Sequence, residues 1–196
     1  MTQQILLDLY RYEGEKCKKI ATQLRYLLFV PGFQYTYLFR QACKASCKLT
    51  KFIWSALLRL CMYYTNIQIP VGTQIGEGFM IGHWGTIIIN PAAKIGKNFS
   101  IAPGCLIGNS EGGGGKKGTP TIGNNVKMGT NAIVIGNINI DNNVLIAPGA
   151  FVNFDVPENS IVIGNPGRII PRDSSPTSKY IVYSIDNFKE FYHYKR

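Results

Sequence analysis

The sequence predicts a mainly β protein, a parallel β-helix of hexapeptide repeats preceded by an α-helical segment. Three observations carry that prediction. Aliphatic residues recur every six positions from about residue 67 onward. Small or turn-forming residues follow them at fixed offsets. The N-terminal third is basic and aromatic and lacks the period.

The repeat runs in three series: Ile69, Ile75, Ile81 and Ile87; then Ile89, Ile95, Ile101 and Ile107; then Ile122, Met128, Val134, Ile140, Ile146 and Val152. A second compact position follows four places later, at Ala93, Cys105, Val126, Ala132, Ile138, Val144 and Ala150. Period six matches neither the 3.6 of a helix nor the alternation of a long strand. It fits short strands joined by tight turns, with three hexapeptides closing one triangular coil and stacked coils burying continuous aliphatic columns. Corner sequences such as Gly123-Asn124-Asn125 and Asp141-Asn142-Asn143 suit residues with positive φ.

Two interruptions stand out. Between Ile107 and Ile122 the segment GNSEGGGGKKGTPT breaks the period; four consecutive glycines cannot stabilise a fold, so a mobile projecting loop is expected. The repeat ends at Ile163-Gly164-Asn165-Pro166-Gly167-Arg168, where Pro166 and Pro171 are expected to terminate the pairing. The chain therefore divides into a helical, basic segment over 1–66, a hexapeptide-repeat β-helix domain over 67–172 and a tail over 173–196.

Composition narrows the function classes. The net charge is +10, and residues 1–66 hold ten Lys/Arg against three Asp/Glu. No nucleic-acid motif accompanies this charge, so no nucleic-acid partner is expected. With only His83 and His193, a three-histidine zinc site is excluded and no metal is expected. Five cysteines without a framework fit free thiols in a reducing compartment. The longest apolar stretch is interrupted by Arg59 and falls short of the ~20 residues of a membrane span. A cytoplasmic protein is expected, peripheral at the inner face of a membrane if its basic segment binds lipid.

The hexapeptide pattern resembles the left-handed parallel β-helix of hexapeptide acyltransferases, over about residues 66–172. The segment Met80-Ile81-Gly82-His83-Trp84-Gly85-Thr86 resembles the catalytic turn of serine O-acetyltransferases and of related capsular-polysaccharide O-acetyltransferases. The Gly-rich loop is similar to their coenzyme-A loop, and Gly164-Asn165-Pro166-Gly167-Arg168 to their terminal signature. The resemblance implies acyl transfer from acetyl-CoA to a hydroxyl, no permanently bound cofactor, and a homotrimer with sites between neighbouring helices. His83 would be the general base, since a histidine titrating near 6.5 is mostly neutral at pH 7. Gly108 and Asn109 are candidate oxyanion donors. Lys116, Lys117, Gly129, Thr130, Pro148 and Arg168 are the remaining candidates for binding coenzyme A, with Gln68, Trp84 and Thr119 on the acceptor side. Trp84 either stacks on a sugar face or packs against an adjacent coil.

Departures from the serine-specific pattern shape the expected acceptor. An Asp before the histidine is replaced by Gly82, the histidine's Asp partner aligns with Gln68, and an Arg-His pair for the substrate carboxylate aligns with Gly118 and Thr119. On this ground a saccharide hydroxyl is expected, in capsule or exopolysaccharide biosynthesis. The alternatives are a serine O-acetyltransferase with a degenerate acceptor site and a non-catalytic β-helix scaffold.

Residues 34–63 read as one helix after a break at Pro31-Gly32. Arg40, Lys44, Lys48, Lys51, Ser55 and Arg59 step by three or four and so share a face. A basic stripe beside Phe52, Trp54 and Leu57 suggests peripheral membrane contact; packing on the β-helix or within the trimer is the alternative.

Overall fold

The computed structural model describes residues 1–112 and 116–188. His193 and the centre of the Gly-rich loop lie outside the described residues, so the expected mobility of that loop falls partly there.

The chain winds through three faces. The first holds β1 (Ile67–Gln68), β4 (Ile87–Ile89), β7 (Leu106–Gly108), β10 (Ile133–Ile135) and β13 (Phe151–Val152). The second holds β2 (Gln74–Ile75), β5 (Lys94–Ile95), β8 (Thr121–Ile122) and β11 (Asn139–Ile140). The third holds β3 (Met80–Ile81), β6 (Ser100–Ile101), β9 (Lys127–Met128), β12 (Leu145–Ile146), β14 (Ser160–Ile163) and β15 (Arg168–Pro171). Neighbours within a face are parallel except for the last pair, and inward aliphatics stack coil upon coil, as in Ile81↔Ile101↔Met128↔Ile146.

All fourteen residues of the period-six series are buried, and so are the seven compact positions that follow them. The jump between the first two series has a simple cause. In β4 both Ile87 and Ile89 point inward, because a three-residue strand turns alternate residues to one side. Ile87 stands over Ile67, and Ile89 lies under Ile107.

Turning from second to third face requires one left-handed residue per coil. Gly78 supplies it first, then Asn98, Asn125, Asn143 and Asn159, the asparagines with φ of 55°, 56°, 59° and 54°. Asparagine tolerates this conformation, and the column is cross-linked: the Asn98 amide donates to Asn125 Oδ1 at 2.9 Å, and the Asn125 amide to Asn143 Oδ1 at 3.0 Å.

The end of the repeat differs from the expectation. Pro166 lies in a turn, and the chain returns as β15, antiparallel to β14 from Ile163↔Arg168 to Ser160↔Pro171. Pro171 is compatible with pairing because β15 is an edge strand, where a missing N–H leaves no partner unsatisfied.

Four helices precede the coil: α1 (Gln3–Glu13), α2 (Ile20–Phe29), α3 (Pro31–Lys44) and α4 (Lys48–Thr65). The single helix expected over 34–63 is thus two helices, separated at Ala45-Ser46-Cys47. Pro31 starts α3 rather than preceding it, since a first-turn proline loses no helical hydrogen bond. Arg40 leaves the expected basic stripe: it is 5% exposed and bridges to buried Asp8. On α4, Leu58, Cys61 and Thr65 are buried and Trp54 packs against the core, while Leu49, Phe52, Ile53 and Leu57 are exposed.

A second core unites the two ends of the chain. Ile5, Leu7, Leu9, Tyr10, Cys17, Tyr26 and Phe33 pack with Ile185 and Phe188 of the C-terminal segment. That segment is fastened to the asparagine column, where the Ile185 N–H donates to Asn98 Oδ1 at 3.0 Å.

Candidate active site

His83 lies in the turn between β3 and β4, on the edge joining third face to first. It stands two residues after inward Ile81. The same offset from Ile101, Met128 and Ile146 gives Pro103, Thr130 and Pro148, so these four occupy equivalent corners of successive coils. Backbone hydrogen bonds stitch the corners together: Gly104 N–H to the Thr86 carbonyl at 2.6 Å, Asn131 to Pro103 at 2.9 Å and Gly149 to Thr130 at 2.9 Å. A Cβ on Gly129 would lie 2.7 Å from Pro148, so the corners above His83 stack closely. The Gly164–Gly167 turn continues this edge and delivers Arg168 near its end.

The edge is thus a column of small and prolyl corners with one imidazole at its lower end. His83 is exposed, and among the described residues no hydrogen bond reaches its ring. Gln68 is exposed on the first face, opposite Ile88, and makes no hydrogen bond to His83. Trp84 is 55% exposed.

The Gly-rich loop sits elsewhere. It joins β7 to β8, on the edge between first and second faces. Ser110 and Gly118 close its neck with reciprocal N–H to carbonyl bonds of 2.9 and 3.1 Å. Lys116 forms an ion pair with Asp155, and its carbonyl accepts the Asn137 N–H at 2.9 Å. The Lys116 ammonium, aided by the Asn139 N–H, holds the Asp155 carboxyl below its ordinary value. The Asn109 side-chain amide donates to Glu111. Lys117 and Thr119 belong to the same loop, and Gly108 ends β7.

The chain therefore brings His83, Trp84, Gly129, Thr130, Pro148 and Arg168 to one edge and Gly108, Asn109, Lys116, Lys117 and Thr119 to another. Two residues escaped the sequence reading. Pro103 was signalled by its offset from Ile101. Asp155 had no such signal, because its role depends on a loop folding back onto a later coil.

These features define a hexapeptide-repeat acyltransferase class of left-handed β-helix. No protein-family model matches the chain. A serine acetyltransferase of Helicobacter pylori is 33% identical over 147 residues, 75% of this chain and 85% of that protein. One from Synechococcus elongatus is 36% identical over 163 residues, 83% of this chain and 66% of that protein. Among solved structures, Neisseria gonorrhoeae serine acetyltransferase superposes with a TM-score of 0.67 at 27% identity, covering 88% of this chain and 67% of its own. The chain belongs to the serine acetyltransferase family. It spans 66%, 55% and 61% of the length of three curated relatives, from Synechococcus elongatus, Bacillus licheniformis and Staphylococcus xylosus.

This membership corrects the saccharide acceptor and the polysaccharide role expected from the sequence. The replacements at Gln68, Gly82, Gly118 and Thr119 remove one way of holding an amino acid, but they do not outweigh similarity extending over most of the chain.

Proposed function

We propose that the protein transfers the acetyl group of acetyl-CoA to the hydroxyl of L-serine. The observation that carries this reading is the stacked column from His83 to Pro148 in a chain of the serine acetyltransferase family. A serine hydroxyl is a weak nucleophile at neutral pH and needs a base beside it. His83 accepts the hydroxyl proton as oxygen attacks the thioester carbonyl. The C–O bond forms, the C–S bond breaks, and the proton passes to the departing thiolate. Thr130 and Pro148 line the pantetheine path above the imidazole, and the missing side chain at Gly129 lets these corners stack closely. Arg168 meets the nucleotide end.

Apart from Gln68 on the first face, the remaining candidates stand on a second edge, and we take the working unit to be a homotrimer. In a threefold assembly the His83 edge of one chain faces the loop edge of its neighbour, so Gly108, Asn109, Lys117 and Thr119 act on the neighbour's substrates. Lys116 tethers the loop through Asp155. The peripheral membrane contact expected of residues 34–63 also belongs to this proposal, supported by the exposed apolar residues of α4. Among the described residues no helix is long and apolar enough to cross a membrane.

The test is direct. With acetyl-CoA and L-serine, thiol release should depend on serine, and O-acetylserine should accumulate in equal amount. Thiol release that ignores serine, with no O-acetylserine by mass spectrometry, would overturn the assignment.

A further inference from the structure

We propose that the outward surface of α2 and α4 is a docking face for an anionic lipid bilayer. The helix α4 departs from the usual arrangement of a surface helix in being apolar on both sides. Its inward side carries Trp54, Leu58, Cys61 and Thr65. Its outward side is also apolar: Leu49, Phe52, Ile53, Leu60 and Tyr63 follow one another at helical spacing along its whole length. Phe52 is 71% exposed, Tyr63 69% and Leu60 63%. On α2, Ile20, Leu24 and Leu28 form a second exposed stripe at intervals of four. Between α2, α3 and α4 lies a groove of about 380 Å³ lined by Leu27, Tyr37, Leu38, Leu57, Leu60 and Tyr64. Exposed apolar side chains in this number, flanking an apolar groove, mark an interaction site.

Charge selects the occupant. From Lys16 to Gly76 the sequence holds nine Lys/Arg and no Asp or Glu. Arg40, Arg25 and Lys18 are engaged with Asp8, Glu13 and Glu15. Lys44, Lys48, Lys51 and Arg59 are exposed. Lys48, Lys51 and Arg59 each immediately precede an outward apolar residue, Leu49, Phe52 and Leu60, which sets all three along one side of the α4 stripe. A second copy would bring the same basic border without a carboxylate in this segment to meet it. Nucleic acid would satisfy the charge and leave the apolar stripe in water. An anionic bilayer satisfies both, with aromatic and leucine side chains entering the acyl boundary and ammonium groups meeting lipid phosphates.

The full chain is tested by co-sedimentation with vesicles of phosphatidylcholine alone or mixed equally with phosphatidylserine. Binding should require phosphatidylserine and weaken in about 1 M salt, where the screening length is ~3 Å. Lys48→Gln with Lys51→Gln should weaken it about fivefold per lysine. Phe52→Ser with Leu60→Ser should abolish it while thermal stability and acyl transfer stay at wild-type levels. The proposal is overturned if the protein stays in the supernatant with anionic vesicles, or if binding ignores both lipid charge and the lysines. It is also overturned if the Phe52/Leu60 variant instead dissociates a larger oligomer in sedimentation velocity, which would make this face a contact between copies.

Discussion

Arg40 of α3 grips Asp8 of α1 with Nε 2.8 Å and Nη2 3.2 Å from the two carboxylate oxygens, and both side chains are buried. The pair also fastens the helices to the first coil. Arg40 Nη1 donates to the Ile75 carbonyl at 2.7 Å, and Asp8 accepts the Phe79 N–H at 2.8 Å. Burial pushes the Asp8 carboxyl upward, against the Arg40 charge and the N–H groups that pull it down.

Removing one member leaves the other buried and unpaired. Arg40→Ala and Asp8→Ala should each destabilise the protein by about 3–5 kcal/mol, read as a shifted midpoint in urea unfolding. Arg40→Lys should lose most of the same stability, because an ammonium cannot reproduce the planar fork that serves Asp8 and the Ile75 and Gly76 carbonyls. Wild-type stability in Arg40→Ala would remove the clamp from the account of the fold.

His83→Ala should lower kcat by on the order of 10²–10⁴, with acetyl-CoA affinity by calorimetry nearly unchanged. The exposed position of His83 makes a folding defect an unlooked-for result. Equal turnover by the variant would exclude it as the base.

Gly104 is the corner glycine of the coil above His83, with φ of 78° and the Asn131 side chain 1.8 Å from where a Cβ would stand. Gly104→Ala should destabilise by ~1–3 kcal/mol and disturb the column, so kcat/KM for acetyl-CoA should fall as well. The comparison is Gly72→Ala, whose added Cβ meets nothing within 4 Å; it carries only the backbone cost and should leave kcat/KM unchanged.

The five thiols should differ sharply in reactivity. Cys47 is exposed at the start of α4, where the Thr50 and Leu49 N–H groups lower its thiol from the ordinary value. Burial raises the others inside the fold, Cys17 to about 11 and Cys61 and Cys105 in the same direction. Brief alkylation followed by peptide mapping should label Cys47 first and leave those three untouched until the protein unfolds. Early labelling of Cys105 would contradict the closed coil around it.

The loop tether should respond to acid. Asp155 sits below its ordinary value of 3.8, so its contacts contribute fully above that pH and are lost as pH falls through the lower folded value. The Asn139 amide, which donates to Asp155 Oδ1 at 2.8 Å, should report this in an NMR titration. Asp155→Asn should abolish the transition. An Asn139 shift independent of pH in the wild type would dissolve the tether.

The β-helix was legible from spacing alone, because each coil repeats one local demand: an aliphatic inward, a compact residue four places on, and a left-handed corner. Ile81, Ile101, Met128 and Ile146 meet it one coil at a time, and parallel stacking follows from a constant period. The same local rule contained the His83 column, since Pro103, Thr130 and Pro148 are fixed by offset from those aliphatics. Long-range contacts were not legible. Nothing near Arg40 in the chain distinguishes it from Lys44 or Lys48, and only packing of α1 against α3 turns it from a surface cation into the partner of Asp8. Lys116 meets Asp155 because the loop folds back onto a later coil. Period and composition thus determined the coil and its corners, whereas the burial of charge and the outward apolar face of α4 were decided by tertiary packing, which depends on distances that no local pattern encodes.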